Sequence, residues 1–337
     1  MKRTANSTMK DIQKATGLGL ATISKYVNGG NVRPENRALL DRAVAELGYR
    51  PNEYARALKT SRSRTIGVVI PELSNLFCTS IISSMEDILR QRGYAVAVCD
   101  CRSDEKLEQN AVEFLLSKKV DGILALPVAA DGHTFQPALD QGTPVVLFDR
   151  RIEKRGYSAV IIDNRNAAAL AVEHLVAHGH RRIGLISGGD KVFTFRERTQ
   201  GYRDALHAAG IAPDQALECA VEQSLSGGYE GMKRLLSLAP AITAVITSNY
   251  EMTLGAIIAA NEAGVKIPDG LSFVGFDNLE LSRVMTPKLT IVAQPMDQIA
   301  LEAANLMLSE MEGDNQERRT VILEAHLIEG TSVAELN

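Results

Sequence analysis

From Thr65 onward, short apolar runs alternate with segments of helical period, and this alternation restricts the fold more than any other feature of the chain. The runs lie at 66–70, 95–99, 122–126, 145–148, 183–186, 244–247 and 271–275, each short enough for a buried strand and too short for a helix. Between them, 79–91, 105–117, 166–177, 199–209 and 251–262 space their apolar residues as amphipathic helices do. A repeating strand, helix, strand order predicts an α/β body of parallel sheets covered by helices, with ligands gathering beyond the C-terminal strand ends. The stretch 150–163 reads as a non-helical break, which leaves open one wide sheet or two lobes with a cleft.

The first 50 residues follow another rule. Thr8 can cap a short helix through Ile12 to Ala15, with Asp11 three residues on, and Gly17 ends it. A second helix, 20–27, places Ile23 and Val27 on one face and stops at Asn28-Gly29-Gly30. Pro34 suits a first helical position, and the third helix runs through Leu39, Leu40, Val44 and Leu47 to Gly48. Two short helices joined by a tight turn, with a third supporting them, predict an all-α helix-turn-helix head whose second helix enters the major groove.

Charge separates the same two regions. Residues 1–64 hold thirteen Lys and Arg against five acids, a net of +8, whereas 65–337 carries −12. A cationic, helically patterned start fits a phosphate backbone, and an acidic body does not. In such a head Leu20, Ala21 and Lys25 fall where base edges are read, while Thr22, Ser24 and Asn28 fall near phosphates. Lys25 can donate to guanine, whereas Leu20 and Ala21 offer only apolar contact, as with a thymine methyl.

The wording of the head is more specific than its pattern. Ala21-Thr22-Ile23-Ser24-Lys25 followed by Val27-Asn28, and Leu47-Gly48-Tyr49-Arg50-Pro51-Asn52 followed by Ala55 and Leu58, resemble the head and hinge of the LacI/GalR family of transcriptional regulators. The resemblance continues through Ile66 to Pro71 with Ser74 to Phe77, Val145 to Asp149, Gly179 to Ile183, Arg198 to Tyr202, Val274 to Asn278 and Gln294-Pro295. It implies a multi-domain chain: residues 1–50 as the DNA-binding head, 51–64 as hinge and linker, and 65–337 as a two-lobed sensor similar to type I periplasmic binding proteins. The N-lobe is then expected at about 65–163 plus 294–320 and the C-lobe at about 164–293 plus 321–337.

Carried over residue by residue, the resemblance adds Thr8 and Tyr49 to the DNA contacts and makes the hinge a segment that becomes helical on DNA. Asn52 then lies near a phosphate, Ala55 in the minor groove, and Leu58 wedges between base steps. Effector contacts fall on Asn75, Phe77, Asp149, Arg198, Asn249, Asp277 and Gln294, residue types that suit a sugar, a sugar acid or a related metabolite. Three departures stand out: Lys25 where the family usually has Arg, Gly19 where Ser is common, and Tyr250 where Asp is common.

Partners expected from this reading are a near-palindromic double-stranded operator, a small-molecule effector and a second copy of the chain. A dimer is expected because the chain stops soon after Ser332, before the leucine-rich helix that tetramers of the family use. No cofactor is expected. Catalysis is opposed by the lack of dinucleotide, phosphate-loop and nucleophile-elbow motifs and of metal-ligand spacing among six His. No apolar run reaches the roughly 18 residues of a membrane span, and no signal sequence opens the chain, so a cytoplasmic location is expected. That same gap, with the basic head, opposes the rival reading as a solute-binding protein serving a transporter. Cys78, Cys99, Cys101 and Cys219 show no paired spacing and are expected to be reduced and buried.

Overall fold

The computed structural model describes residues 7–27, 29–49, 62–153, 156–277, 279–313 and 318–336. The chain divides into two compact units, 1–63 and 64–337. Among the described residues, the first unit holds helices α1 (Met9–Thr16), α2 (Leu20–Val27) and α3 (Pro34–Leu47). The Thr8 backbone N–H and hydroxyl both donate to Asp11 Oδ2, at 2.8 and 2.7 Å, which covers the start of α1. Gly17 and Gly48 end α1 and α3 in the left-handed region, at φ 69° and 56°, where a side chain would be strained.

Ile12, Ile23, Leu40, Ala43 and Tyr49 form the small core of this unit. Leu39 points away from it, being 41% exposed. With so few buried side chains, each worth about 1.5–3 kcal/mol, fixed polar ties matter. Tyr26 Oη donates to Asp41, joining α2 to α3, and Ser7 Oγ donates to the Leu47 carbonyl at 2.6 Å.

In the second unit the chain runs β1 (Thr65–Ile70), α4 (Leu76–Gln91), β2 (Ala95–Asp100), α5 (Glu105–Ser117), β3 (Gly122–Ala125), α6 (Gln136–Asp140), β4 (Val145–Phe148) and β5 (Ser158–Ile162). It continues with α7 (Asn164–Ala177), β6 (Ile183–Ser187), α8 (Phe193–Ala208), β7 (Glu218–Ala220), α9 (Leu225–Leu236), β8 (Ala244–Thr247), α10 (Tyr250–Glu262), β9 (Ser272–Phe276) and α11 (Leu279–Val284). Last come β10 (Thr290–Ala293), α12 (Met296–Glu312), β11 (Thr320–Leu323) and β12 (His326–Ile328).

The open choice between one sheet and two resolves to two. One sheet is ordered β11-β5-β4-β3-β1-β2 and the other β12-β10-β9-β8-β6-β7, so strands 1–5 and 6–10 repeat one topology. The first sheet is wholly parallel, and in the second only the β10–β12 pairing is antiparallel. Most strands, β1, β3, β4, β5, β6, β8 and β9 among them, are almost continuously buried, as strands covered on both faces must be.

Three crossings link the lobes: after β5, after β10 and between β11 and β12. Two expectations shift. The break at 150–163 contains a strand, β5, that pairs with β4, and β11 carries the N-lobe sheet to Leu323, past the expected boundary at 320. Cys78, Cys101 and Cys219 are free and buried, whereas Cys99 is only half-buried.

Candidate DNA-reading face and ligand cleft

On α2, Ile23 turns into the core, and the opposite side is left to solvent. Leu20 is 41% exposed, Ala21 and Lys25 are exposed, and Thr22 and Ser24 are half-buried. Ala21 and Lys25 stand four residues apart on one helical face, the spacing that lets two side chains meet one groove. The Gly19 carbonyl accepts from the amides of Thr22 and Ile23 at 2.9 and 3.1 Å and opens α2, but Gly19 lacks the hydroxyl that a Ser there would offer a phosphate.

Thr8 is exposed at the head of α1. Tyr49 is 8% exposed and packs among Ile12, Ile23 and Leu40, so its ring holds the head together rather than facing outward. Asn28, Asn52, Ala55 and Leu58 lie outside the described residues.

In the second unit, all seven residues expected to meet the effector line one cleft between the lobes: Asn75, Phe77 and Asp149 from the N-lobe, Arg198, Asn249 and Asp277 from the C-lobe, and Gln294 at a crossing. The cleft leaves about 580 Å³ clear of protein atoms, part of it open to solvent. Strand ends and helix starts place these groups. Asn75 caps α4, accepting from Cys78 N at 3.2 Å, and Asn249 caps α10, accepting from Met252 N at 2.8 Å.

Asp149 follows β4 and Asp277 follows β9, topologically equivalent strands of the two sheets. Both adopt left-handed backbone, φ 65° and 67°, which Asp tolerates better than most side chains. Each is pinned by its own amide, which donates to Val160 O at 2.8 Å and to Val292 O at 3.0 Å respectively. The lobes thus present two aspartates to one cleft.

Arg198, 3% exposed, is the countercharge. Its Nε donates to Asn164 Oδ1 at 2.8 Å, its Nη1 donates to the Ser248 carbonyl, and its guanidinium lies 4.4 Å from the Phe276 ring centroid. Burial lowers its pKa, while Asp277 and Asp149 oppose that fall. Burial raises the Asp277 carboxyl to about 6 against the pull of Arg198 and of Gln294 Nε2, which donates to its Oδ1 at 2.8 Å. Asp149 is also raised by burial, with Arg150 and Arg198 acting against the rise.

The cleft is also lined by residues that the sequence does not single out, the charged ones being Glu72, Arg150 and Glu251. Arg150, 8% exposed, donates from Nη1 to Pro127 O at 3.1 Å and from Nη2 across the cleft to Gln223 Oε1 at 3.3 Å. Glu251 accepts from Asn75 Nδ2 at 3.2 Å, a second bridge between lobes, and Glu72 lies near enough to help raise its pKa. Tyr250, noted for its departure, is the first residue of α10 and also lines the cleft. For Arg150 the available signal is its place directly after the strand-end Asp149, and it is a weak one.

Asn249 Nδ2, Gln294 Oε1 and Arg150 Nε are buried without a hydrogen-bond partner among the described residues. Such groups cost about 1–3 kcal/mol each unless a ligand or water meets them. Among the described residues no group of three His, Cys, Asp or Glu is placed to hold a metal, and no helix is long and apolar enough to cross a membrane.

Residues 63–331 match the family described as periplasmic binding proteins and sugar-binding domain of the LacI family. The repressor CytR of Escherichia coli (strain K12) is 32% identical over 331 residues, covering 97% of this chain and 96% of that one. Catabolite control protein A of Priestia megaterium is 31% identical over 326 residues, covering 96% and 98%. Among solved structures, the lac repressor dimer bound to operator and an anti-inducer superposes with a TM-score of 0.88 at 26% identity, over 98% of this chain and all of that one. The regulator CelR in complex with cellobiose gives 0.75 at 29% identity, over 97% and 100%. With the helical head, the two repeated sheets and the shared cleft, these matches establish that the chain belongs to the LacI family, as a helix-turn-helix transcriptional regulator and not an enzyme.

Proposed function

We propose that the protein is a repressor that binds a near-palindromic operator as a homodimer and is controlled by an uncharged, polyhydroxylated metabolite of the sugar or nucleoside class. The convergence of seven residues from both lobes on one cleft, with buried polar atoms left unmatched there, carries this reading. Four carboxylates, Glu72, Asp149, Glu251 and Asp277, face two guanidiniums, Arg150 and Arg198, and both guanidiniums already donate within the protein. A sugar acid would add a further negative charge to that balance, whereas hydroxyls can donate to the carboxylates and to Gln294 Oε1 and accept from Asn249 Nδ2. Sugar binding by CelR in its cellobiose complex is consistent with this class.

Two heads related by a two-fold axis require two related half-sites, and the lac repressor dimer on operator is the precedent. Leu20, Ala21 and Lys25 read bases, Thr8, Thr22, Ser24 and Asn28 meet the backbone, and the hinge with Asn52, Ala55 and Leu58 opens the minor groove. Tyr49 supports the reading helix from behind. The protein acts on the nucleoid in the cytoplasm. The domain limits we assign are 1–50, 51–64 and 65–337, with the last lobe crossing after Leu323.

The test is a gel shift of the full chain on a near-palindromic duplex from its own upstream region, with sugars and nucleosides added in turn. Lys25→Ala is expected to weaken specific binding by about 1–3 kcal/mol and to relax preference at one base pair of each half-site. Equal binding to the palindrome and to scrambled competitor at every salt concentration would reject the reading.

A further inference from the structure

Beside the cleft lies a second cavity of opposite character. Its N-lobe walls are the loops after β3 and β4, Pro127–Asp131 and Arg150–Glu153, and its C-lobe wall is Lys191–Arg196 at the start of α8. About 740 Å³ is clear of protein atoms, part of it open solvent. Four cationic groups, Arg150, Arg151, Lys191 and Arg196, line it against two carboxylates, Asp131 and Glu153.

The cations are arranged rather than scattered. Phe193 leaves the C-lobe to pack among Ile152, Tyr157 and other side chains of the N-lobe core. Over its ring lie the guanidiniums of Arg151, from the N-lobe, at 5.1 Å and of Arg196, from the C-lobe, at 5.6 Å. Glu153 accepts from Arg196 Nη2 at 3.0 Å and lies 3.7 Å from Arg151 Nη2, so one carboxylate is shared by two cations. Lys191 has no ion-pair partner among the described residues, whereas Arg196 Nε also donates to Glu197 Oε1 at 3.3 Å and the buried Arg150 Nε, without a hydrogen bond, lies 3.7 Å from Asp149 Oδ2. The loop wall is held from behind, because buried Glu108 accepts from Val128 N at 2.6 Å and Ala129 N at 3.1 Å.

The geometry points to a second ligand site in which Arg151 of one lobe and Lys191 and Arg196 of the other clasp a phosphate- or carboxylate-bearing metabolite. Arg151 and Lys191, exposed on opposite walls, draw an anion from both sides, and guanidinium groups steadied on an aromatic ring offer donors in fixed directions. An anion held from both sides favours the arrangement in which Phe193 is seated in the N-lobe. The site rests on the sensor's own geometry and not on what fills the cleft.

The test titrates the full chain calorimetrically with inorganic phosphate, ionic strength being held constant with chloride, and repeats it on an Arg151→Gln, Lys191→Gln double variant. Saturable binding is expected in the unaltered protein, weakened by about tenfold or more in the variant, the scale of losing charge-assisted hydrogen bonds. The variant is expected to melt with the unaltered protein and to shift operator DNA equally in phosphate-free buffer, so that failure here is separable from failure of the repressor reading. Heats no different from chloride alone would overturn the proposal, as would unchanged phosphate affinity in the double variant, which would place the anion elsewhere, for example on the basic head.

Discussion

The cleft and its neighbouring cavity are walled by the same two lobes and share Arg150, yet they hold their charges in different ways. In the cleft, Arg198 and Asp149 are buried and Asp277 nearly so, and their pKa values are displaced by burial. In the cavity, Arg151 and Lys191 lie on exposed side chains. A charge taken from water must be compensated inside the protein, so cleft residues are bound up with stability. A charge at the surface costs little, so Arg151 and Lys191 are free to serve binding alone.

The sharpest way to break this contrast is Arg198→Ala. It strips the countercharge from Asp277, leaves Asp149 with Arg150 alone at 3.7 Å, and leaves Asn164 Oδ1 and the Ser248 carbonyl unmatched. Loss of about 3–5 kcal/mol is expected, read by denaturant unfolding of the sensor, together with loss of any thermal shift by the effector. A variant of ordinary stability would mean that the cleft charges are solvated, and the contrast would fail.

Phe193→Ala comes next, since the ring belongs to the cavity and to the N-lobe core at once. About 3 kcal/mol is expected from the hole left behind, with phosphate affinity falling as the two guanidiniums lose their shared support. Phe193→Leu, which refills most of the volume, is expected to recover most of the stability but not the phosphate affinity.

Asp277→Asn sharpens the comparison through pH. The carboxyl titrates near 6 in the folded protein against 3.8 as its ordinary value, so the folded state binds the extra proton between those limits. Stability from this group is therefore lost as pH rises through that window, the reverse of an ion-paired carboxylate. The Asn variant cannot lose it. Its melting temperature relative to the unaltered protein is expected to climb from about pH 4 to about pH 6 and then level off, whereas a constant offset would assign the carboxyl an ordinary pKa.

How much of this the sequence disclosed depends on how local each signal was. The head was legible because its stops are local: Asp11 beside Thr8, Gly17, Pro34 and Gly48 act within a turn of the residues they delimit. The α9 helix was not assigned, since Gly227, Gly228 and Gly231 argue against any helix. Gly228 is there because α10 packs onto the α9 backbone, a Cβ standing 2.3 Å from the Met252 carbonyl oxygen, while a Cβ on Gly227 would meet the Glu222 carbonyl and one on Gly231 the Ile186 side chain. The β5 strand was hidden for a similar reason, since it takes its place from pairing with β4 and β11, one of which is far along the chain. The cleft residues came from the family resemblance, and their neighbours Arg150, Gln223 and Glu251 emerged only when two lobes brought positions 75 and 251, or 150 and 223, within hydrogen-bond reach.

Lys191→Gln carries the smallest expected effect and asks the most of the comparison. The side chain is exposed and forms no ion pair among the described residues, so its loss is expected to change stability by no more than about 0.5 kcal/mol. Operator binding in phosphate-free buffer and thermal shifts by neutral sugars are expected to stay as they were, because both depend on groups elsewhere. Phosphate affinity alone is expected to fall, by a few-fold at constant ionic strength, since one of the clasping cations is gone while Arg151 and Arg196 remain. A change in sugar binding of the same size would tie the two pockets into a single site and end the distinction between them. A fall confined to phosphate would mean that one pair of lobes keeps two ligand chemistries apart by the depth at which it buries its charges.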